Sequence, residues 1–206
     1  MTHMNRYLLG ALCVVFGAVA AAADLKFVDV WKSPEISRLN FAGKKVAALV
    51  IIDDQAVEMS GEEALAQQLT ARNVNGIAAY RFVPREELRS AEKAHAWFDR
   101  TGVQGVVALR PVSQQTETTY SPVVWSSGYY QSFWGYYPYG WTNVYVARAS
   151  GQSTTVVVET LVYDLTRDRL VWAATSATKD AKNLQEFVKD LVDATVDEMK
   201  KMKLVG

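Results

Sequence analysis

The chain reads as an α/β fold: a mixed sheet of about five strands in the order strand-helix-strand-helix-strand-strand-strand-helix, with three helices. Three observations predict it. In the first half, apolar β-branched runs alternate with stretches of helical spacing. In the second half, a long Thr- and Val-rich run meets a polar turn and returns. A final stretch with apolar residues at helical spacing closes the chain.

Residues 45–52, KVAALVII, form a nearly continuous apolar run, as a buried central strand requires. Ser60 followed three residues later by Glu63 has the form of a capping box. It predicts a helix carrying Ala64, Leu65, Gln68 and Leu69. Gly76 opens a second strand over 77–83. Pro84 suits the first position of the next helix, and Glu86 and Glu87 suit its positive end. Leu88, Ala91, His95 and Phe98 share a face there, Gly102 stops it, and 103–109 is the third strand. Helices between successive strands imply right-handed crossovers and parallel pairing. Residues 153–165 and 170–178, joined by the polar turn 166–169, predict an antiparallel hairpin. Asn183 and Glu186 form a second capping box, and Leu184, Phe187, Val188, Leu191, Thr195, Met199 and Met202 line the last helix.

The N-terminus has the three zones of a secretory signal. Arg6 precedes an apolar run over 7–19, and Ala20–Ala23 follow it. Small residues at Ala21 and Ala23 place cleavage after Ala23, so 1–23 is the expected signal peptide and 24–206 one α/β domain. The run is shorter than the roughly 20 residues of a spanning helix. Met4 is a second candidate start. Cys13 follows Leu12 and sits inside the apolar run, which suits a filler and not a lipid-attachment site. The domain then has no cysteine and no disulfide to stabilise it. Without Arg6 it holds 21 basic and 22 acidic residues, a net charge of −1. That balance argues against a nucleic-acid role, which rests on concentrated positive charge. The predicted location is periplasmic or secreted.

This order of elements resembles the domain shared by the TolB N-terminal region, the periplasmic part of the curli-secretion channel and lipoprotein activators of penicillin-binding proteins. The phrases KKVAALVIIDD at 44–54, GVVALR at 105–110 and VETLVYDLTRDRLVWAATS at 158–176 also resemble an uncharacterised family of exported or lipid-anchored bacterial envelope proteins. The resemblance spans roughly 40–203. It implies an envelope-associated, non-catalytic domain. Many such relatives are lipoproteins, and this chain departs from them in lacking a proper lipidation site.

One segment stands apart. Residues 118–147, between the third and fourth strands, contain no Asp, Glu, Lys or Arg. Eleven of the chain's 23 aromatics lie between Tyr120 and Tyr145, densest in SGYYQSFWGYYPYGW at 127–141. Gly and Pro at 128, 135, 138 and 140 exclude a helix there. A connection this long is unusual in a compact domain. Three uses compete: the rings cover a sheet face or edge; they recognise a glycan, a peptide or a partner protein; or they contact a membrane surface. Trp125, Tyr129, Tyr130, Phe133, Trp134, Tyr136, Tyr137, Tyr139 and Trp141 are the candidate binding residues.

Signals of catalysis are sparse. His95 is the one histidine after the signal, and its helical face suits the edge of a core. No His, Cys or carboxylate cluster has metal-ligand spacing, no Gly-rich phosphate loop follows the first strand, and no cofactor is implied. Asp53 and Asp54 are the best ligand or metal edge. They follow the first strand, on the side where open α/β sheets bind ligands, with Glu58 nearby. Asp residues near a helix start suit a turn equally well. Arg110 is placed to pair with an Asp at a neighbouring strand end. The expectation is a non-enzymatic envelope domain that binds or assembles through the aromatic loop, its partner an envelope protein or glycan. The alternatives are a metal-dependent hydrolase using Asp53 and Asp54, or a self-associating homo-oligomeric module.

Overall fold

The computed structural model describes residues 25, 27–112, 122–126, 128–144, 155–179 and 184–206. The expected signal at 1–23, the ends of the 118–147 segment and Asn183 lie outside them. Six strands form one mixed open sheet: β1 (Phe27–Lys32), β2 (Lys45–Val50), β3 (Asn75–Ala78), β4 (Gly105–Val112), β5 (Thr155–Asp164) and β6 (Arg169–Lys179). Their order is β1-β6-β5-β4-β2-β3. β2 pairs in parallel with β3 and β4, while β4–β5, β5–β6 and β6–β1 are antiparallel. The parallel first half and the antiparallel hairpin are therefore as expected.

The strand missing from the sequence reading is β1. Its residues FVDVWK alternate between half-buried and exposed, and Asp29 breaks the apolar run, so it lacks the signature of a central strand. It is an edge strand paired to β6, with a bulge between Phe27 and Asp29.

Among the described residues there are four helices of ten residues or more, not three: α1 (Gln55–Thr70), α2 (Ala91–Thr101), α4 (Phe133–Thr142) and α5 (Leu184–Lys201); α3 (Pro122–Trp125) is a single turn. α1 starts five residues ahead of Ser60. Its N-cap is Asp54, whose Oδ1 accepts from the amides of Ala56 and Val57 at 2.9 and 3.1 Å. Ser60 lies inside the helix, where its hydroxyl donates to the carbonyl of Val57. β3 ends at Ala78 and a 3-10 turn (Ala79–Arg81) follows. Pro84 begins no helix: α2 starts at Ala91, capped by the Ser90 hydroxyl, and ends at Gly102 in the left-handed region, as expected.

The sheet buries both faces. α1 and α5 cover one, with Val46, Ala48, Val50, Leu65, Leu191 and Met199 among the residues between them. α2 and the segment 122–144 cover the other. Continuous apolar strands such as β2 and β4 are what two covered faces demand.

Candidate functional site

Residues 122–126 and 128–144 form α3, a 3-10 turn (Gly128–Gln131) and α4, and together these lie on the sheet as an aromatic cap. α4 contradicts the expectation that Gly and Pro exclude a helix. The overlooked signal is Phe133, Tyr136, Tyr137, Gly140 and Trp141, which fall at i, i+3, i+4, i+7 and i+8 and form one buried face. Pro138 costs one backbone bond, and burial of that face outweighs it. The glycine at 140 is a point of close approach: a Cβ there would lie 2.8 Å from Cδ1 of Ile51. Ser132 caps the helix through the amide of Gly135 at 3.1 Å. Asp168, in the β5–β6 turn, accepts from the amides of Phe133 and Trp134 at 2.7 and 3.4 Å and from the Ser132 hydroxyl. It reaches them from a left-handed backbone at φ 46°.

Under the cap lies a charged network. Arg110 of β4 and Glu159 of β5 stand directly opposite each other in the sheet, and both are buried. Arg110 Nη2 and Nε donate to Glu159 Oε2 at 2.9 and 3.2 Å. The Tyr136 hydroxyl donates to the same oxygen at 3.1 Å and accepts from Arg110 Nε at 3.0 Å. Trp125 Nε1 donates to Oε1 at 3.1 Å, and Arg110 Nη1 to the carbonyl of Asn143 at 3.3 Å. Arg110 therefore pairs with a glutamate in mid-strand, not with an aspartate at a strand end. Burial pushes the Tyr136 hydroxyl well above its usual range, and the Glu159 charge adds to this. The hydroxyl thus stays neutral and keeps donating.

The nine candidate rings divide sharply. Trp125, Tyr130, Phe133, Tyr136, Tyr137 and Trp141 are buried, their faces spent on the sheet and on each other. Tyr129, Trp134 and Tyr139 keep an outward surface. Tyr129 is 41% exposed and stacks on Tyr139, ring centroids 4.2 Å apart and planes 32° apart. The guanidinium of Arg110 lies 5.2 Å from the Tyr139 ring on the inner side. Trp134 stacks on the exposed His95 at 4.2 Å, and His95 also approaches Asp99 at 3.6 Å.

α4 also fills the crevice at the C-terminal ends of β2 and β4. Their connections leave in opposite directions there, which is the usual ligand position in an open α/β sheet. Gly140 sits on Ile51, Tyr136 on Arg110, and Trp141 beneath the Arg89 guanidinium at 5.6 Å. Asp53 is paired to Arg89, and Asp54 is occupied as the α1 cap. Among the described residues, no group of three or more His, Cys, Asp or Glu could hold a metal ion. One and two helical turns on, Glu58 and Glu62 are buried. Glu62 accepts from the amides of Val50 and Tyr80 at 3.0 and 2.8 Å, and Glu58 pairs with Arg85 at 2.9 Å. Burial pushes Glu62 up to about 8 against the pull of those amides, and it raises Glu58 as well. Sequence reasoning reached Glu58 only as a neighbour of Asp53 and missed Glu62. Starting α1 at Asp54 would have set both on the inward face, with Val57, Leu65 and Leu69.

Sheet, helices and inward-facing charges define a mixed α/β sandwich whose second face is roofed by its own aromatic insertion. No family model matches the chain, and no curated protein matches it in sequence. Among solved structures it is similar to a PelC dodecamer from Paraburkholderia phytofirmans in two crystal forms. One is 15% identical over 80% of this chain and 92% of that one, with a TM-score of 0.42. The other is 12% identical over 84% and 94%, with a TM-score of 0.44. It is also similar to a lipoprotein from Neisseria meningitidis, 12% identical over 78% and 99%, TM-score 0.40. Likenesses this distant assign no role to any residue here. Among the described residues, no helix is long and apolar enough to cross a membrane.

Proposed function

We propose that the chain is an exported, non-enzymatic domain of the cell envelope that binds or helps assemble another envelope component, protein or glycan. The contact is carried by the rings that the cap leaves outward: Tyr129, Trp134 and Tyr139. The observation behind this reading is the Tyr129–Tyr139 stack, held from inside by a buried network and open to solvent outside. Rigid rings with polar tips are suited to recognition because little freedom is lost on binding. The three-zone N-terminus and the resemblance to exported or lipid-anchored proteins supply the location. The buried rings hold the outward ones in place.

The test is a photo-crosslinking amino acid placed at 129, 134 and, as a control, at the exposed Lys189, in full chains expressed in cells. Adducts to one envelope component at 129 and 134, absent at 189, are expected. Equal labelling at all three positions would overturn the proposal.

A second reading, self-association, is favoured by β1. It is an edge strand, and Val28 and Val30 on it are 63% and 40% exposed. An apolar open edge is a template for pairing with another chain. Sedimentation of the wild type and of Val28→Lys/Val30→Lys decides it. A larger species lost in the variant supports the reading, and a monomer in both refutes it.

A further inference from the structure

We propose that the open face of Tyr129 is a stacking platform for a neutral pyranose ring, so that the partner at the outward rings is an uncharged polysaccharide. This rests on the reading above that those rings carry the contact, and it names the class of partner.

Of the three outward rings, Tyr129 has a face to offer. Its ring neighbours are Tyr139 at 4.2 Å and Tyr130 at 4.7 Å, each plane 32° from its own. The centroids of those two are 5.9 Å apart, too close together to hold Tyr129 in a sandwich. One face of Tyr129 therefore carries no ring among the described residues, in keeping with its 41% exposure. Trp134, by contrast, has the His95 ring stacked on it. The backbone of Tyr129 is held as well. A Cβ on Gly135 would stand 3.1 Å from its carbonyl oxygen, so the 3-10 turn rests directly on α4.

The surroundings select what lies on that face. The Tyr129 hydroxyl is turned toward those of Tyr139 and Tyr130 and toward the Glu159 charge. Burial and the Tyr139 hydroxyl push it above the usual tyrosine range. Residues 122–144 contain no charged side chain, and the Arg110–Glu159 pair beneath them is buried and self-paired. A carboxylate, phosphate or ammonium group would find no counter-charge on the cap. A peptide would bring carbonyls that need donors, and the Tyr129 hydroxyl faces the other way. A pyranose with equatorial hydroxyls needs neither. Its axial C–H groups meet the negative face of the ring, and its hydroxyls stay in water at the rim. Asn143 is exposed one helical turn beyond Tyr139. Its Nδ2 donates to the Tyr139 carbonyl at 2.9 Å, which leaves Oδ1 to accept from a sugar hydroxyl.

The experiment uses the full chain and saturation-transfer NMR. The probes are cellopentaose and chitopentaose as neutral pyranose chains, pentagalacturonic acid as a charged one, and decaproline as a peptide with flat apolar rings. Both neutral chains should bind more tightly than the other two, with saturation strongest on the axial protons of one sugar face. The ring protons of Tyr129 should shift on binding in the wild type. Tyr129→Leu keeps apolar bulk without a ring and should weaken the neutral chains about tenfold, while Tyr129→Phe should restore them. No binding of either neutral chain, tighter binding of the acid or the proline peptide, a Tyr129 ring that does not shift, or equal loss in the Leu and Phe variants would each overturn the proposal. A crosslink from position 129 to a protein, with no sugar bound, would overturn it and leave the reading of the outward rings standing. Equal labelling at 129, 134 and 189 would remove both.

Discussion

Glu159→Ala removes the carboxylate on which Arg110, Tyr136 and Trp125 converge. Arg110 is then a buried cation without its counter-charge, and breaking a buried pair from one side costs about 3–5 kcal/mol. Trp125 Nε1 also loses the acceptor it has there, a further cost of about 1 kcal/mol or more. The Tyr136 hydroxyl still accepts from Arg110 Nε but loses the acceptor of its own proton. The total is at least about 4–6 kcal/mol, a large share of the 5–15 kcal/mol typical of a folded domain. Arg110→Met/Glu159→Leu removes both charges together and should cost at least about 2 kcal/mol less than the single change. Guanidinium unfolding, followed by tryptophan fluorescence and near-ultraviolet circular dichroism, measures both. The cap holds many of the aromatic rings, so its signal should fall first in Glu159→Ala. A single-variant loss below about 1 kcal/mol, or a double variant as unstable as the single one, would refute the view that this pair anchors the cap.

Three further outcomes are expected. Glu62 is raised from 4.5 to about 8 by burial, so between those values the folded chain holds a proton that the unfolded chain has released. Its contribution to stability is complete below about pH 4.5 and is lost as pH rises through about 8, at up to about 1.4 kcal/mol per pH unit. Glu62→Gln should flatten that slope in melting curves from pH 5 to 9, with a pH-independent loss of about 1–3 kcal/mol because one of the two amides loses its acceptor; an unchanged slope contradicts the assignment. Gly76→Ala would place a Cβ 2.3 Å from the backbone carbonyl of Ala66, so a loss of about 1–3 kcal/mol or more is expected in urea unfolding, and a neutral result would refute that close approach. Asp54→Ala should cost about 1 kcal/mol as a lost N-cap, while Ser60→Ala should change stability by less than half of that; the reverse ranking would return the start of α1 to Ser60.

The sheet was legible in the sequence wherever a strand is buried on both faces. KVAALVII is almost wholly apolar, the run around VETLVYD is rich in β-branched residues, and the polar residues that follow it mark the hairpin turn, which forms over 165–168, one residue ahead of the expected 166–169. β1 was not legible, because an edge strand is only half-buried and its alternation is too short to stand out. The start of α1 was misplaced because Ser-Xaa-Xaa-Glu describes a capping box equally well inside a helix. Only the tertiary position of Asp54, just past the end of β2, separates the two. The cap shows composition overriding pattern. Gly and Pro drew attention from the helical spacing of Phe133, Tyr136, Tyr137 and Trp141, and the ring count suggested an exposed surface where most rings are core. Glu159 could not be singled out from sequence, since a glutamate within a Val-rich strand becomes a partner for Arg110 only when the two strands are set in register.

Asp168 gives the hairpin an unusual standing. A tight turn between two strands is ordinarily where a chain accepts an inserted residue, a tag or a permuted terminus at little cost. Here the turn holds the first residues of α4 by three hydrogen bonds across 34 to 36 positions of chain. An added residue at 167 or 168 would leave the hairpin intact and still unseat the roof above it. The site that looks most permissive for engineering is therefore among the least, and a reporter grafted there would read out the seating of the cap.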